Sequence, residues 1–395
     1  MYSTRPRSVL KKDVNALSEA PSSSEGPNSG YLVLQDEEAQ SYWFFGLLKN
    51  RNISHFPFPQ SKNLTVSYTV SRGRNKSKTY YDKVMFIPVL NQPLSSNRYY
   101  VIWRKGKHQG EACTSSTEED MGTCLCCNFV KDVKPRPLDP FNQYQQFEII
   151  KKSSGFLAKS VAPDGFPPLF LRRKGWKGWK VAASTPKNYN LEEALGLNQL
   201  LRGQLPAFDF PLSNDSSGSV VIGKWYCPFM FVKEGMELKD QMKRSVFYTL
   251  TLEQRWEKIL SMKNSSVIGS KGNDVVLVDV VVETEFATVG GKEADWDEGN
   301  GVDGVVWFSV EREVSVGLNL VIVKRMKWEQ ERGGWLGRNK RQERIIREEK
   351  FGGAIKWENF GCYVLVESFV LKRMDGSFVL TYGFRHTHQI MCKWE

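Results

Sequence analysis

Long apolar runs are missing from this chain. No stretch approaches the roughly eighteen consecutive apolar residues that a membrane-spanning helix needs. The run from Tyr42 to Leu48 is too short, and the valine-rich run beginning at Val275 is interrupted by Asp279. Cysteine is sparse, seven in 395 residues, an odd number without the spacing of a disulfide framework, which points to a reducing compartment. No Gly-x-Ser-x-Gly, glycine-rich phosphate loop or zinc-protease helix occurs, so the common hydrolase and nucleotide-using classes lose weight. The acidic stretch Glu293 to Asp303 fails as an EF-hand, because the sixth position counted from Asp295 is Asn300 and not glycine. Nor is there an internal repeat.

What is present is the material of a folded protein. Hydrophobic residues make up 41% and aromatics 12%, enough to build packed cores over two or three domains. A formal net charge of +11 favours acidic surfaces as partners, though it is first a statement about solubility. The cytoplasm is the expected location, with peripheral attachment to a membrane as the variant.

The strongest local signal lies near the end of the sequence. Two alternating apolar runs, Tyr363 to Met374 and Ser377 to Ile390, flank Asp375-Gly376, which predicts a long antiparallel hairpin with a two-residue loop. That register pairs Arg373 with Phe378, Leu371 with Leu380, Phe369 with Tyr382, Glu367 with Phe384, Leu365 with His386 and Tyr363 with His388.

Elsewhere the pattern predicts a β-dominated α+β fold: two antiparallel β modules joined by a short helical segment. Residues 1–30 read as a flexible arm. Residues 31–185 read as an antiparallel β domain, with short strands separated by proline-marked loops. In 186–266, Asn190 should cap a helix over Leu191 to Leu205, and Thr251 with Gln254 makes a capping box for Leu252 to Met262. Residues 267–395 read as a long-strand domain, including a strand from Val314 to Trp328 with Val316, Leu318, Leu320 and Ile322 on one side.

Three clusters have the residue types of a functional site. His386 and His388 share a strand face with Glu367 diagonal to His386, a metal geometry in principle; their plainer reading is a packed aromatic face, with no metal or other cofactor. Cys124, Cys126 and Cys127 stand beside Lys131 and Lys134, as in S-acylated segments, or they simply fill a core or loop. Arg172, Arg173, Lys174, Trp176, Lys177, Trp179 and Lys180 interleave charge and indole, the combination that contacts an anionic surface. The plainer alternative is a solvated loop whose tryptophans dock on the core. Nucleic acid is not expected as a partner, because no recognisable nucleic-acid module accompanies these residues.

Several idiosyncratic strings occur together: Met1-Tyr2 with Thr4-Arg5-Pro6, Glu25 to Leu32, Phe86 to Val101, Val161 to Pro168, Lys224 to Met230, and Phe384 to Glu395. On these the chain resembles, over essentially its whole length, a plant-specific family known as domain of unknown function 1262. The resemblance implies no established activity, cofactor or catalytic residue. Because the family pattern starts at Met1, it implies no cleaved targeting peptide, and its restriction to plants suggests a stress or defence role. The long C-terminal strands would also suit a membrane-active module of the crystal-toxin kind. An inserting hairpin should be Ser/Thr-rich and free of lipid-facing charge, which Lys324-Arg325-Met326-Lys327 is not.

The expectation is therefore a non-catalytic binding or scaffold protein with an unidentified protein partner and no transmembrane segment. The alternatives are a peripheral membrane protein held by acylated cysteines and the basic-aromatic loop, and a metal-dependent enzyme using the strand His-x-His.

Overall fold

The computed structural model describes the chain except for residues 14, 19–24, 44–47, 72–76, 125–126, 173–177, 265–274, 298–303, 312–313, 338–340 and 354–355. Strands dominate, as the alternating patterns require, and the few helices are short. A seven-stranded sheet takes its strands from the first half of the sequence, in the order Gly155–Ser160, Gln146–Lys152, Arg98–Trp103, Ser77–Pro88, Asn63–Ser71, Lys180–Ser184 and Asn52–Ile53. Its inward face is aromatic. Phe58, Phe86, Tyr99, Phe156 and Trp179 pack there, Trp179 stacked on Phe86 at 5.8 Å and donating through Nε1 to the Leu171 carbonyl.

A nine-stranded sheet forms the centre of the molecule. Gly30–Leu34 lies beside Tyr2–Pro6, followed by Val220–Pro228, Phe247–Lys263, the terminal hairpin Asn359–Arg373 and Phe378–Trp394, then Glu285–Val289 and Lys292–Glu293, while Gly196–Leu197 also pairs with Val220–Pro228. All its pairings are antiparallel except Tyr2–Pro6 with Gly30–Leu34. Residues 2–6 are thus strand and not a flexible arm, and Met1 and Tyr2 are buried in the largest hydrophobic cluster. This sheet draws strands from both sides of the boundaries expected near 30, 185 and 266. The helix Leu320–Arg332 packs against it, alongside a four-stranded sheet containing Val305–Val310 and Val314–Asn319. Among the described residues no helix is long and apolar enough to cross a membrane.

The hairpin register is as expected from Leu365 to Leu371: Leu365 faces His386, Glu367 faces Phe384, Phe369 faces Tyr382 and Leu371 faces Leu380. Its two ends differ. The loop has three residues, Met374 to Gly376, closed by Arg373 N–H donating to the Ser377 carbonyl, with Gly376 at φ 84°. This places Lys372 and not Arg373 opposite Phe378, the register a three-residue turn with a left-handed glycine imposes. At the other end Thr387 to Gln389 bulge out of the ladder, so Tyr363 faces Met391 and not His388.

Three elements are of a different type from the one expected. Phe247–Lys263 is a 17-residue strand. Tyr248, Leu250, Leu252, Gln254 and Trp256 are buried at every second position, and this period outweighs the Thr251–Gln254 capping signature. The helix anticipated over Leu191 to Leu205 is confined to Gln199–Gln204, capped by the Asn198 side chain. Residues before it are held extended by the neighbouring sheet: Ala194 N–H donates to Thr4 Oγ1, and Glu192 N–H to Tyr226 Oη. Gly196 then turns the chain at φ 90°. Finally, the strand from Val314 stops at Asn319, whose side chain caps the helix Leu320–Arg332. Ile322, Arg325, Met326, Glu329 and Gln330 form its buried stripe, a 3.6-residue period.

Candidate functional site: an open cationic cleft and a sealed charge chain

Two groups of charged side chains converge in the fold, and they differ in where their charge goes. The first is sealed. On the central sheet, Gln254 and Glu367 are direct cross-strand partners, and Gln254 Nε2 donates to Glu367 Oε1 at 3.0 Å. Arg202, from the short helix, clamps the same carboxylate through both branches, Nε to Oε1 at 2.9 Å and Nη2 to Oε2 at 2.6 Å. Its remaining branch reaches Glu329 Oε1 at 3.3 Å. Glu329 Oε2 is taken by Arg325 Nη1 at 2.6 Å, one helical turn away, and Arg325 Nε donates to Ser29 Oγ.

The result is an alternating, neutral chain, Arg325–Glu329–Arg202–Glu367, with all four residues buried. Burial opposes ionisation of Glu367, yet His386 and Arg202 outweigh it and hold the carboxyl at about 2. Arg202 is the firmer partner: His386 Nε2 stands 3.7 Å from Glu367 Oε2 and bonds Gln330 Oε1 at 3.0 Å.

Of the metal candidates read from sequence, Glu367 and His386 are therefore together, while His388 lies exposed on the bulge with its ring 5.7 Å from that of His386. Among the described residues no three His, Cys, Asp or Glu groups could hold a metal ion. A carboxylate already gripped by a guanidinium is a poor cation ligand, since the two positive charges would compete for the same oxygens.

The second group is open. It lies where the seven-stranded sheet meets the helix Leu238–Arg244, in a cleft of about 770 Å³. Lys83 comes from a strand of that sheet, and Arg104 and Lys105 from the turn after Trp103. That turn is anchored by Arg104 N–H donating to the Lys83 carbonyl. Gly110, at φ 93°, lets it approach the Leu238 backbone so closely that a Cβ would sit 3.0 Å away. Lys187 and Tyr189 come from the strap linking the two large sheets, and Lys243 from the helix.

Among the described residues no carboxylate lines this cleft. Lys243 donates to Asp240 at 2.7 Å, but Arg104 Nε is buried with no partner among the described residues. Burial lowers the Arg104 pKa, partly offset by the Tyr189 hydroxyl, and a guanidinium remains charged at neutral pH regardless. Leaving a charged donor buried and unpaired is costly, and an anion in the cleft would remove that cost. Sequence reading missed these residues because they are scattered from 83 to 243. Their one local trace is the basic turn Arg104-Lys105-Gly106-Lys107 directly after a strand.

The remaining candidates are dispersed. Cys124 and Cys127 face each other across a separate two-stranded hairpin, Met121–Cys124 with Cys127–Val130; Cys126 lies outside the described residues. In the basic-aromatic stretch, Arg173, Lys174, Trp176 and Lys177 also lie outside them. Arg172 approaches Asp132 at 3.7 Å, Lys180 is exposed on its strand, and Trp179 is fully buried. Trp179 is therefore a core residue and not a surface contact. Its indole fills the aromatic interior of the seven-stranded sheet, where burial of so large a ring outweighs exposure beside charges.

The fold places the chain in the β-dominated α+β class, built of several antiparallel sheets with few short helices. Residues 25–128 match the profile of a family described as Protein of unknown function (DUF1262). No curated protein matches the sequence. Among solved structures, the crystal structure of Cry35Ab1 is similar with a TM-score of 0.46 and 10% identity, over 85% of this chain and 90% of that one. At that score the likeness carries no argument.

Proposed function

We propose that this is a non-catalytic binding protein that takes up a polyanionic ligand in the cleft of Lys83, Arg104, Lys105 and Lys187. The observation that carries the reading is the buried Nε of Arg104, unpartnered among the described residues, in a cleft that no described carboxylate lines. Four cations held on three different elements suit a ligand with several phosphate or carboxylate groups, because separated charges can each find an oxygen. The non-catalytic half rests on the sealed chain, whose acids and bases are committed to one another.

Titration calorimetry of the full chain with inorganic pyrophosphate and with inositol hexakisphosphate tests this. Saturable binding that weakens about tenfold or more in Arg104→Met, with an unchanged melting temperature, is the expected result. Absence of binding to either probe, or equal affinity in the variant, overturns it.

A second reading is favoured by one surface feature. Among the described residues the strands Met121–Cys124 and Cys127–Val130 pair only with each other, and Met121 and Phe129 are exposed, the latter at 50%. Exposed apolar side chains in a segment that carries three cysteines in the sequence describe a peripheral membrane contact. Fractionation of expressing cells separates the two: hydroxylamine-sensitive pelleting, lost when Cys124, Cys126 and Cys127 are all serine, supports membrane attachment, and full solubility of the wild type removes it.

A further inference from the structure

We propose that Cys362 and Cys392 form an oxidisable thiol pair, a cross-strand disulfide site that a low-molecular-weight disulfide such as oxidised glutathione closes. The two residues are direct partners in the terminal hairpin, beyond the bulge at Thr387 to Gln389. Their type of pairing follows from the ladder. Asn359 and Glu395 exchange both backbone hydrogen bonds, at 2.8 and 2.9 Å, and bonded and non-bonded pairs alternate along antiparallel strands. Counting inward, 361/393 is a bonded pair and 362/392 a non-bonded one.

Non-bonded pairs are the close ones, with Cα atoms about 4.5 Å apart, inside the range of about 4.4–6.8 Å that a disulfide spans. The side chains point the same way: Cys362 belongs to the cluster with Val276, Val278, Ile345 and Phe360, and Cys392 packs against it. The neighbouring Cys392 lowers the Cys362 thiol from its ordinary value, with Arg347 assisting, while Cys362 and burial raise that of Cys392. Cys113 and Cys227 contrast with this pair. Each is alone, and burial pushes its thiol up, the setting of an inert core cysteine.

Access sets the order of events. Cys362 is fully buried whereas Cys392 is half-buried, so Cys392 meets the oxidant. Cys392 gives up its proton, and its thiolate attacks one sulfur of the glutathione disulfide, forming a mixed disulfide and expelling one glutathione thiolate, which takes up that proton. Cys362 then gives up its proton and attacks Cys392 Sγ, expelling the second glutathione. Two cysteines lose two electrons, one glutathione disulfide gains them, and the two protons end on the two glutathione thiols.

The bond would staple the short ladder 359–364/390–395, which the bulge separates from the rest of the hairpin. The full-length protein should be incubated with oxidised glutathione, alkylated, digested without reductant and mapped by mass spectrometry. Cleavage at Lys372, Arg373 and Arg385 separates the two cysteines, and the Cys124–Cys127 segment falls in other peptides. A linked pair of peptides carrying Cys362 and Cys392, two hydrogens lighter than their sum, is expected. In Cys362→Ser, a glutathione adduct should remain on Cys392. A wild type in which both thiols are alkylated, or in which Cys392 carries glutathione and no link forms, overturns the proposal.

Discussion

The sealed chain and the open cleft use similar side chains to opposite ends. Around Glu367 two guanidiniums and two carboxylates alternate inside the protein, and the sum of charge is zero. Around Arg104 several cations face a cleft with no acid on its walls among the described residues. The first arrangement stabilises one packing of the hairpin, helix and sheet, its four charges paired with one another. The second leaves charge uncompensated where solvent can deliver a counter-charge. Perturbed ionisable groups therefore do not by themselves mark a site; what distinguishes the two regions is whether the partner is already in the chain.

Breaking the sealed chain should give the largest effect. Glu367→Ala leaves the Arg202 guanidinium buried and half-paired, and chemical denaturation should show a loss of about 3–5 kcal/mol. Replacing both partners, Arg202→Met with Glu367→Met, should cost less than the single change, since Glu329 keeps Arg325. If the double variant is the less stable, the pair is more than a self-contained ion bridge.

Acid should expose the same chain with a predictable sign. Glu367 has its folded pKa depressed to about 2 from 4.5. Its contribution is therefore full above 4.5 and lost as the pH falls from there towards 2. Stability measured across that window should decline by roughly 3 kcal/mol on this account alone, and Glu367→Gln should flatten that part of the profile. An unchanged slope in the variant assigns the acid sensitivity to other carboxylates.

The cleft should respond through affinity and not stability. Raising salt from about 50 to 200 mM should weaken pyrophosphate binding there by screening, while the buried pairs of the sealed chain should change little under urea at the same two salts. The smallest effect is expected at Lys243, already bound to exposed Asp240: Lys243→Ala should change affinity by less than about threefold, against a larger loss for Lys187→Ala.

The sequence made parts of this legible where the signal is local. Hairpin pairing from Leu365 to Leu371 follows from alternation, and it correctly sets Glu367 diagonal to His386. The partners of Glu367 could not be read the same way. Arg202 was expected on a helix starting at Leu191, and Arg325 and Glu329 fell on or just past an expected strand. Only the helix Leu320–Arg332 brings Arg325 and Glu329 onto one stripe. The alternation of Val316 and Leu318 continues through Leu320 and Ile322 by coincidence, and the cap at Asn319 is the cue that competed with it. At Thr251 the error ran the other way, a cap signature preferred to a sustained period of two. The cleft was invisible for a different reason: its cations come from four separate segments, and no pattern in the chain records which turns the fold will set side by side.

The strand Tyr2–Pro6 also has a consequence in time. Its parallel neighbour, Gly30–Leu34, follows closely, but on its other edge Tyr2 meets Tyr226. At synthesis rates of about 5–20 residues per second, that edge waits roughly ten to forty seconds for its partner to be made. Throughout this interval buried-to-be Met1, Tyr2 and Leu32 sit on a nascent chain with an unfilled strand edge, the kind of surface chaperones recognise. Low contact order is therefore denied to the central sheet by its own strand order, and slow, assisted maturation is the expected habit of this protein in the cell.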